Sequence, residues 1–302
     1  MGAGAVAEVR FSMKRMTIAP RPDWTSRVES QGLTYHTTDG AAYWDESVYY
    51  ELTAAEVDAL EEATFALNDM CLEAVAHVIE QRMLGTFEIP RPFWEWIEQS
   101  WEEDAPTIYG RFDLAYDGQE PPKLLEYNAD TPTALVEAAV IQWFWFQDQI
   151  RPGGPFQGGG FDQFNSIHER LIEAWAEAAN RTLGRTDTIY FTTMRDTPED
   201  EMTIAYLRDT AIQAKLPTDW IAVEQLGWNA RQRAFLDLQD RPIATVFKLY
   251  PWEWMLREAF GMNLLAGRTR WIEPPWKMIL SNKAILTVLW DLFPDSEYLL
   301  PA

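Results

Sequence analysis

The chain reads as a mixed α/β (α+β) protein, and three patterns predict it. Residues 53–84 place apolar side chains at helical spacing, so the early part is helical. From residue 187 onward short apolar strands alternate with a helix, which predicts a layered unit with helices covering a sheet. Between them lies YGRFDLAYDGQEPPKLLEYNADTPT, residues 109–133, whose strict alternation predicts a two-stranded hairpin.

Residues 1–16 carry little pattern and read as a flexible tail. Thr53 followed by Glu56 makes a capping box. Leu60, Ala63, Leu67, Met70, Ala74 and Val78 then hold one helical face to about Leu84, where Gly85 stops it. Pro90 and Pro92 open a second, tryptophan-rich helix with an apolar stripe at 93, 94, 97 and 101. Beyond the hairpin, Thr131-Pro132-Thr133 breaks the chain before an apolar helix over 134–146, with Asp130 or Thr131 as its expected cap. RPGGPFQGGG at 151–160 lacks the Lys-Ser/Thr of a phosphate-binding loop and reads as a flexible insertion. A helix over 165–181 carries His168, which reads as structural. Strands are expected at 188–192, 220–223 and 244–250, with a helix over 198–215. The acidic start of that helix, Glu199-Asp200-Glu201, suits a helix N-terminus. Residues 250–254, YPWEW, follow a strand and are placed to wall a pocket. Residues 271–277 read as a loop, and Ser281 as the N-cap of a last helix. On chemistry alone, Lys277 and Lys283 read as surface lysines.

Composition narrows the function. The formal net charge is −22, from 47 acidic and 25 basic residues, which argues against nonspecific nucleic-acid binding. An acidic field concentrates a cationic small molecule such as a polyamine, and it also serves solubility. The 302 residues are 47% apolar with 15 Trp, enough for a sizeable core. Cys71 is the single cysteine, so no intrachain disulfide forms. It lies in an apolar helical run and reads as a small core residue. No apolar run reaches the length of a membrane span, and MGAGAVAEVR puts its apolar stretch before its charges, the reverse of a signal peptide. A cytoplasmic protein without a membrane partner is expected.

The hairpin carries the chemistry. Folded about a centre between Gln119 and Glu120, it sets Asp113 opposite Glu126 and Arg111 opposite Asn128. Directly opposed side chains lie about 5 Å apart. One face then holds an arginine, two carboxylates and an amide. Two opposed carboxylates repel unless a cation sits between them. Mg²⁺ is the natural candidate, since it takes oxygen ligands, usually one or two carboxylates plus substrate phosphates. Arg111 beside it suits phosphate oxygens. The plain alternative is a solvated polar face, and a one-residue slip of register would exchange the two faces.

GRFD, LLEYNADTPT and LVEAAVIQW resemble segments of the glutathionylspermidine synthase family, in particular its stand-alone synthetase-like members. IAPRPDW, DGAAYWDESVYYEL, DQFNSIHERL, LYPWEWM and EPPWKMILSNKAIL are similar to further family segments in the same order. The resemblance runs from about Met16 to Ala302 and leaves no room for the cysteine amidase domain of the two-domain members. It implies an ATP-grasp-like fold, comprising the pre-ATP-grasp region and part of the ATP-grasp region. It implies ATP and Mg²⁺ as cofactors, with a glutathione-like peptide and a polyamine-like amine joined through an acyl phosphate. Carried over by resemblance, Arg111 stabilises the phosphoryl charge, and Asp113, Glu126 and Asn128 hold Mg²⁺. Arg111, Asp113 and Lys283 contact ATP, while Thr131, Thr133 and Glu201 contact the peptide substrate. Leu249 departs from the pattern, standing where a peptide-contacting threonine is expected. Residues 17–302 are expected to form one synthetase-like domain whose C-terminal ATP-grasp portion is missing. Two other readings stand beside the ligase. One is a catalytically incomplete acidic module that binds a polyamine or a partner protein. The other is a glycoside hydrolase using two carboxylates among aromatic platforms.

Overall fold

The computed structural model describes residues 13–38 and 40–302. Residues 1–12, most of the expected tail, lie outside the described residues. Lys14–Thr17 form a strand antiparallel to Val48–Glu51, so regular structure begins before residue 17.

A parallel sheet occupies the centre, in the order Arg270–Ile272, Thr245–Lys248, Ile189–Thr192, Thr218–Trp220. The two middle strands, TVFK and IYFT, are buried along their whole length. Parallel strands covered on both faces need side chains that tolerate burial on both, and β-branched and aromatic residues meet that need. One face presents Ile189, Phe191, Phe247 and Ile272 to helices Ile167–Ala178 and Pro198–Gln213, which answer with Leu171, Trp175, Ile204 and Leu207. Trp175 lies edge-on to Phe191 and Phe247, with ring centroids 5.4 and 5.7 Å away. Burying a phenylalanine completely contributes about 1.5–3 kcal/mol, so this face is a main source of stability. Tyr190, Val246 and Trp271 on the other face share a core with the long helix Ala54–Glu80 and with Trp94–Glu102 and Ala284–Leu292. The result is the layered arrangement the alternation predicts.

The long helix starts as expected. Glu56 N–H donates to Thr53 Oγ1 at 3.2 Å and Thr53 N–H to Glu56 Oε2 at 2.7 Å. Ala63, Leu67, Cys71, Ala74 and Val78 are buried along one stripe. Burial raises the Cys71 thiol to about 12, so it stays an inert core residue. The helix ends at Glu80, short of Leu84, because Arg82 takes a left-handed conformation and Met83–Gly85 forms a 3₁₀ turn. His168 is structural, bonded to Tyr206 Oη and Gln213 Oε1.

Four expectations need correction. Residues 270–272 are an edge strand, not part of a loop, and they pair in parallel with 245–247. Three residues ahead of Pro274-Pro275 are too few to show alternation. Trp220 ends a strand that begins at Thr218, and Val223–Gln225 is a 3₁₀ turn. The helix expected over 134–146 runs to Ile150, with a π-helical turn at Glu137–Ile141 ahead of Gln142–Ile150, and its first helical residue is Leu135. Neither Asp130 nor Thr131 caps it, because Asp130 turns inward to a lysine. Ser281 is not an N-cap either. Its hydroxyl oxygen accepts from Ala129 and Asp130 N–H at 3.0 and 2.8 Å, and Asn282 Oδ1 takes the Ala284 N–H. Among the described residues no helix is long and apolar enough to cross a membrane.

Candidate functional site

Arg111–Ala115 and Lys123–Asn128 form the expected antiparallel hairpin. Its register sets Asp113 opposite Glu126 and Arg111 opposite Asn128. On the reverse face Phe112 packs on Tyr127 with centroids 4.0 Å apart. A bulge after Asp113 shifts the outer half, so Leu114 faces Leu124 and Leu125 is left 45% exposed. The polar face is therefore set by the inner half alone.

Along that face two carboxylates lie between two cations. Arg111 Nε donates to Asp113 Oδ1 at 2.8 Å, and its Nη1 donates to Thr133 O at 3.2 Å. Asn128 Nδ2 donates to Glu126 Oε1 at 2.9 Å, and Lys283 pairs with Glu126 Oε2. Lys283 first, then Asn128, hold the Glu126 carboxyl down at about 2. Lys283 is the surface lysine that chemistry alone suggests, at 74% side-chain exposure, yet it closes this row. The row Arg111–Asp113–Glu126–Lys283 has as many positive as negative charges and is open to solvent. Thr133 enters it through its carbonyl, and the following Ala134 takes a left-handed φ of 63°, costly for a residue with a Cβ. Thr131 lines a cleft of about 180 Å³ together with Asn128, Asp130, Pro251, Glu253 and Ser281. The YPWEW segment thus walls a pocket, as its position suggests. Glu201 is exposed, and its Oε1 accepts from Asp196 N–H ahead of its own helix.

Two buried ion pairs fasten the hairpin to the parallel sheet. Glu273, fully buried, accepts from Ile108 and Tyr109 N–H at 3.0 and 3.1 Å through Oε1. Its Oε2 accepts from Lys277 Nζ at 2.7 Å, and Lys277 also donates to Tyr109 O. Lys277 is thus 3% exposed, not a surface lysine, because the chain leading into the hairpin lies over it. At the other end Asp130 pairs with Lys248 and accepts from Trp252 N–H at 2.8 Å. Lys248 Nζ lies 4.3 Å from the Trp252 ring centroid, and Trp252 Nε1 donates to Glu273 O. Burial pulls the Lys248 ammonium down, while the Asp130 charge opposes this. Lys248 ends one parallel strand and Glu273 directly follows another. The hairpin therefore sits at the carboxyl ends of the sheet, where ligands bind in open α/β folds.

Sequence reasoning found the row and missed the fastening. One signal was available: VFKLY puts a lysine among core residues, and lysine is almost never fully buried unless paired. Glu273 and Lys277 stand four apart, a spacing that allows an ion pair, but nothing in it announces their burial.

The donor set suits Mg²⁺. Among the described residues no three or more His, Cys, Asp or Glu side chains cluster as a metal site. Two carboxylates and an amide remain at the hairpin, which is what Mg²⁺ takes when water and phosphate complete its shell.

The scaffold is thus a layered α/β fold that carries an Arg/Asp/Glu/Asn hairpin at the carboxyl ends of its parallel sheet. The family described as glutathionylspermidine synthase pre-ATP-grasp matches residues 15–302, and the chain belongs to that family. A Haemophilus influenzae protein named "Putative acid–amine ligase" is 42% identical over 295 residues, covering 96% of this chain and 73% of that protein. The Escherichia coli bifunctional glutathionylspermidine synthetase/amidase is 28% identical over 279 residues, covering 83% of this chain. Crithidia fasciculata trypanothione synthetase is 27% identical over 264 residues. The chain spans 43% and 38% of the lengths of these last two. A glutathione synthetase-like effector from Globodera pallida shares the fold, with a TM-score of 0.52, 10% identity, and coverage of 90% of this chain and 67% of that one.

Proposed function

We propose that the chain carries the phosphoryl-handling site of an ATP- and Mg²⁺-dependent carboxylate–amine ligase. The substrates proposed are a glutathione-like peptide and a polyamine-like amine. The row of Arg111, Asp113, Glu126, Asn128 and Lys283 carries this reading, and the names of the relatives support it. In such a reaction a substrate carboxylate oxygen attacks the γ-phosphorus and ADP leaves, giving an acyl phosphate. The amine nitrogen then attacks the acyl carbon, phosphate departs and the nitrogen loses a proton. Phosphoryl transfer spreads charge over equatorial oxygens, so positioned cations do most of the work.

Arg111 is aimed for that task by Thr133 O on one side and Asp113 on the other. Asp113, Glu126 and Asn128 would hold Mg²⁺, which when bound neutralises phosphate charge. Lys283 would meet nucleotide phosphate at the far end of the row. Thr131 lines the adjacent cleft and would meet the peptide there, and Thr133 sits beside Arg111. Glu201 is proposed as a peptide contact only if it releases Asp196 N–H. Leu249 is 3% exposed and belongs to the core, so it offers the peptide no hydroxyl. The single buried cysteine accords with a reducing, cytoplasmic setting.

The test is calorimetric titration of Mg-ATP into the chain and into Asp113→Ala, with ATP turnover measured alongside. Binding that disappears in the variant is the expected result. Equal binding and turnover in Asp113→Ala and Glu126→Ala would overturn the assignment.

A further inference from the structure

Glu137 lies four residues beyond Thr133, whose carbonyl Arg111 holds, on the helix that begins at Leu135. It is 6% exposed and opens the π-helical turn Glu137–Ile141. Its Oε1 accepts from Tyr35 Oη and Tyr43 Oη, both at 2.7 Å. Its Oε2 is buried and has no hydrogen-bond partner. Among the described residues no basic side chain forms an ion pair with Glu137. A buried carboxylate without a cation and with one orphan oxygen is the arrangement folded proteins avoid unless a ligand completes it. π-Turns of this kind recur at functional sites.

The surroundings favour a cation. Burial, then Glu137, raises both tyrosines well above their usual range, so they remain hydroxyl donors that fix the carboxylate. The Glu199 charge reaches both hydroxyls, and Arg111 reaches that of Tyr43. The site therefore carries net negative charge and adjoins the hairpin. The tyrosine ring centroids are 5.1 Å apart, and Tyr43 is 44% exposed, so solvent reaches this aromatic pair. An alkylammonium has three N–H donors for Oε2 and the tyrosine oxygens, and its charge is favoured near aromatic faces.

We infer that Glu137, oriented by Tyr35 and Tyr43, is an anchoring carboxylate for a substrate ammonium group brought beside the Arg111 hairpin. The ammonium is that of the amine substrate or the free α-amine of the peptide. Only the destination of the bound group rests on the ligase reading; binding itself does not require ATP.

Calorimetry at low salt separates these points. Spermidine, glutathione and N-acetylglutathione are titrated into the native chain, Glu137→Gln and Tyr43→Phe, with melting temperatures recorded. Glu137→Gln keeps shape and removes charge, so at least tenfold weaker binding of one ligand is expected at an unchanged melting temperature. Loss for spermidine assigns the amine substrate. Loss for glutathione, with N-acetylglutathione already weak on the native chain, assigns the peptide amine. Tyr43→Phe removes one orienting donor from an exposed position and is expected to weaken the same ligand less. Should Glu137→Gln fail to fold, Tyr43→Phe decides. Equal affinities in native chain and variants, or no binding to a native chain that binds Mg-ATP, would overturn the inference. Binding of spermidine or glutathione that depends on Glu137 while Mg-ATP binding is absent would sustain it and sink the ligase reading instead.

Discussion

Glu126 shows how a single side chain links chemistry to stability. Lys283 and Asn128 hold its carboxyl at about 2, against 4.5 for the free group. The folded value is the lower one, so this contribution is complete above pH 4.5 and is lost as pH falls toward 2. Lys283→Met removes the main cause. Thermal melts from neutral pH downward should show the variant less stable at neutral pH and the two curves converging near pH 2. Curves that stay parallel would remove Lys283 as the cause. Lys283 is exposed, so the difference at neutral pH is expected to be small.

At the scale of elements, the hairpin depends on contacts on its reverse face. A Cβ on Gly110 would lie 2.6 Å from the Tyr127 ring. Tyr127 in turn packs on Phe112 in the opposite strand. Gly110→Ala must therefore displace that ring, at a cost of about 1–3 kcal/mol. Denaturant midpoints should show this loss, and Gly110→Ala/Tyr127→Leu should recover part of it. No recovery would place the strain in the backbone instead. The register near Asp113 was legible in the sequence because Asp117-Gly118 and Pro121-Pro122 mark the turn from both sides. The bulge at Leu125 was not, since alternation alone does not show which residue is left over. The long helix was legible to its first residue, because a capping box is a local interaction. Its end was not, because the left-handed Arg82 carries no compositional signal.

For the whole molecule the decisive contacts are the two buried pairs that tie the hairpin to the sheet. Asp130 and Lys248 are 118 positions apart, and Lys248 is fully buried. Asp130→Ala would leave that ammonium without a partner, a change worth about 3–5 kcal/mol. Chemical denaturation should show it, together with weaker Mg-ATP binding as Asn128 loses its fixed place. The apolar pair Asp130→Leu/Lys248→Met should restore part of the stability, because removing both charges leaves no unpaired ion and only the Trp252 N–H without its acceptor. Restored stability with weak Mg-ATP binding would mark the pair as a positioning device. A single variant as stable as the native chain would contradict the buried pairing.

The sequence by itself determined the layered α/β class, the long capped helix, the hairpin and the residues on its polar face. Each of these is written in local periodicity, turn dipeptides and spacing over a few residues. The tertiary structure decided what the hairpin rests on: Lys248 under Asp130, Glu273 and Lys277 under Tyr109, and Ser281 beneath Ala129. It also decided that Glu137 is a buried carboxylate facing two tyrosines 102 and 94 positions away. Such pairings join segments that are distant in the chain. Burial and charge compensation select them only once the sheet has assembled, so no local pattern announces them.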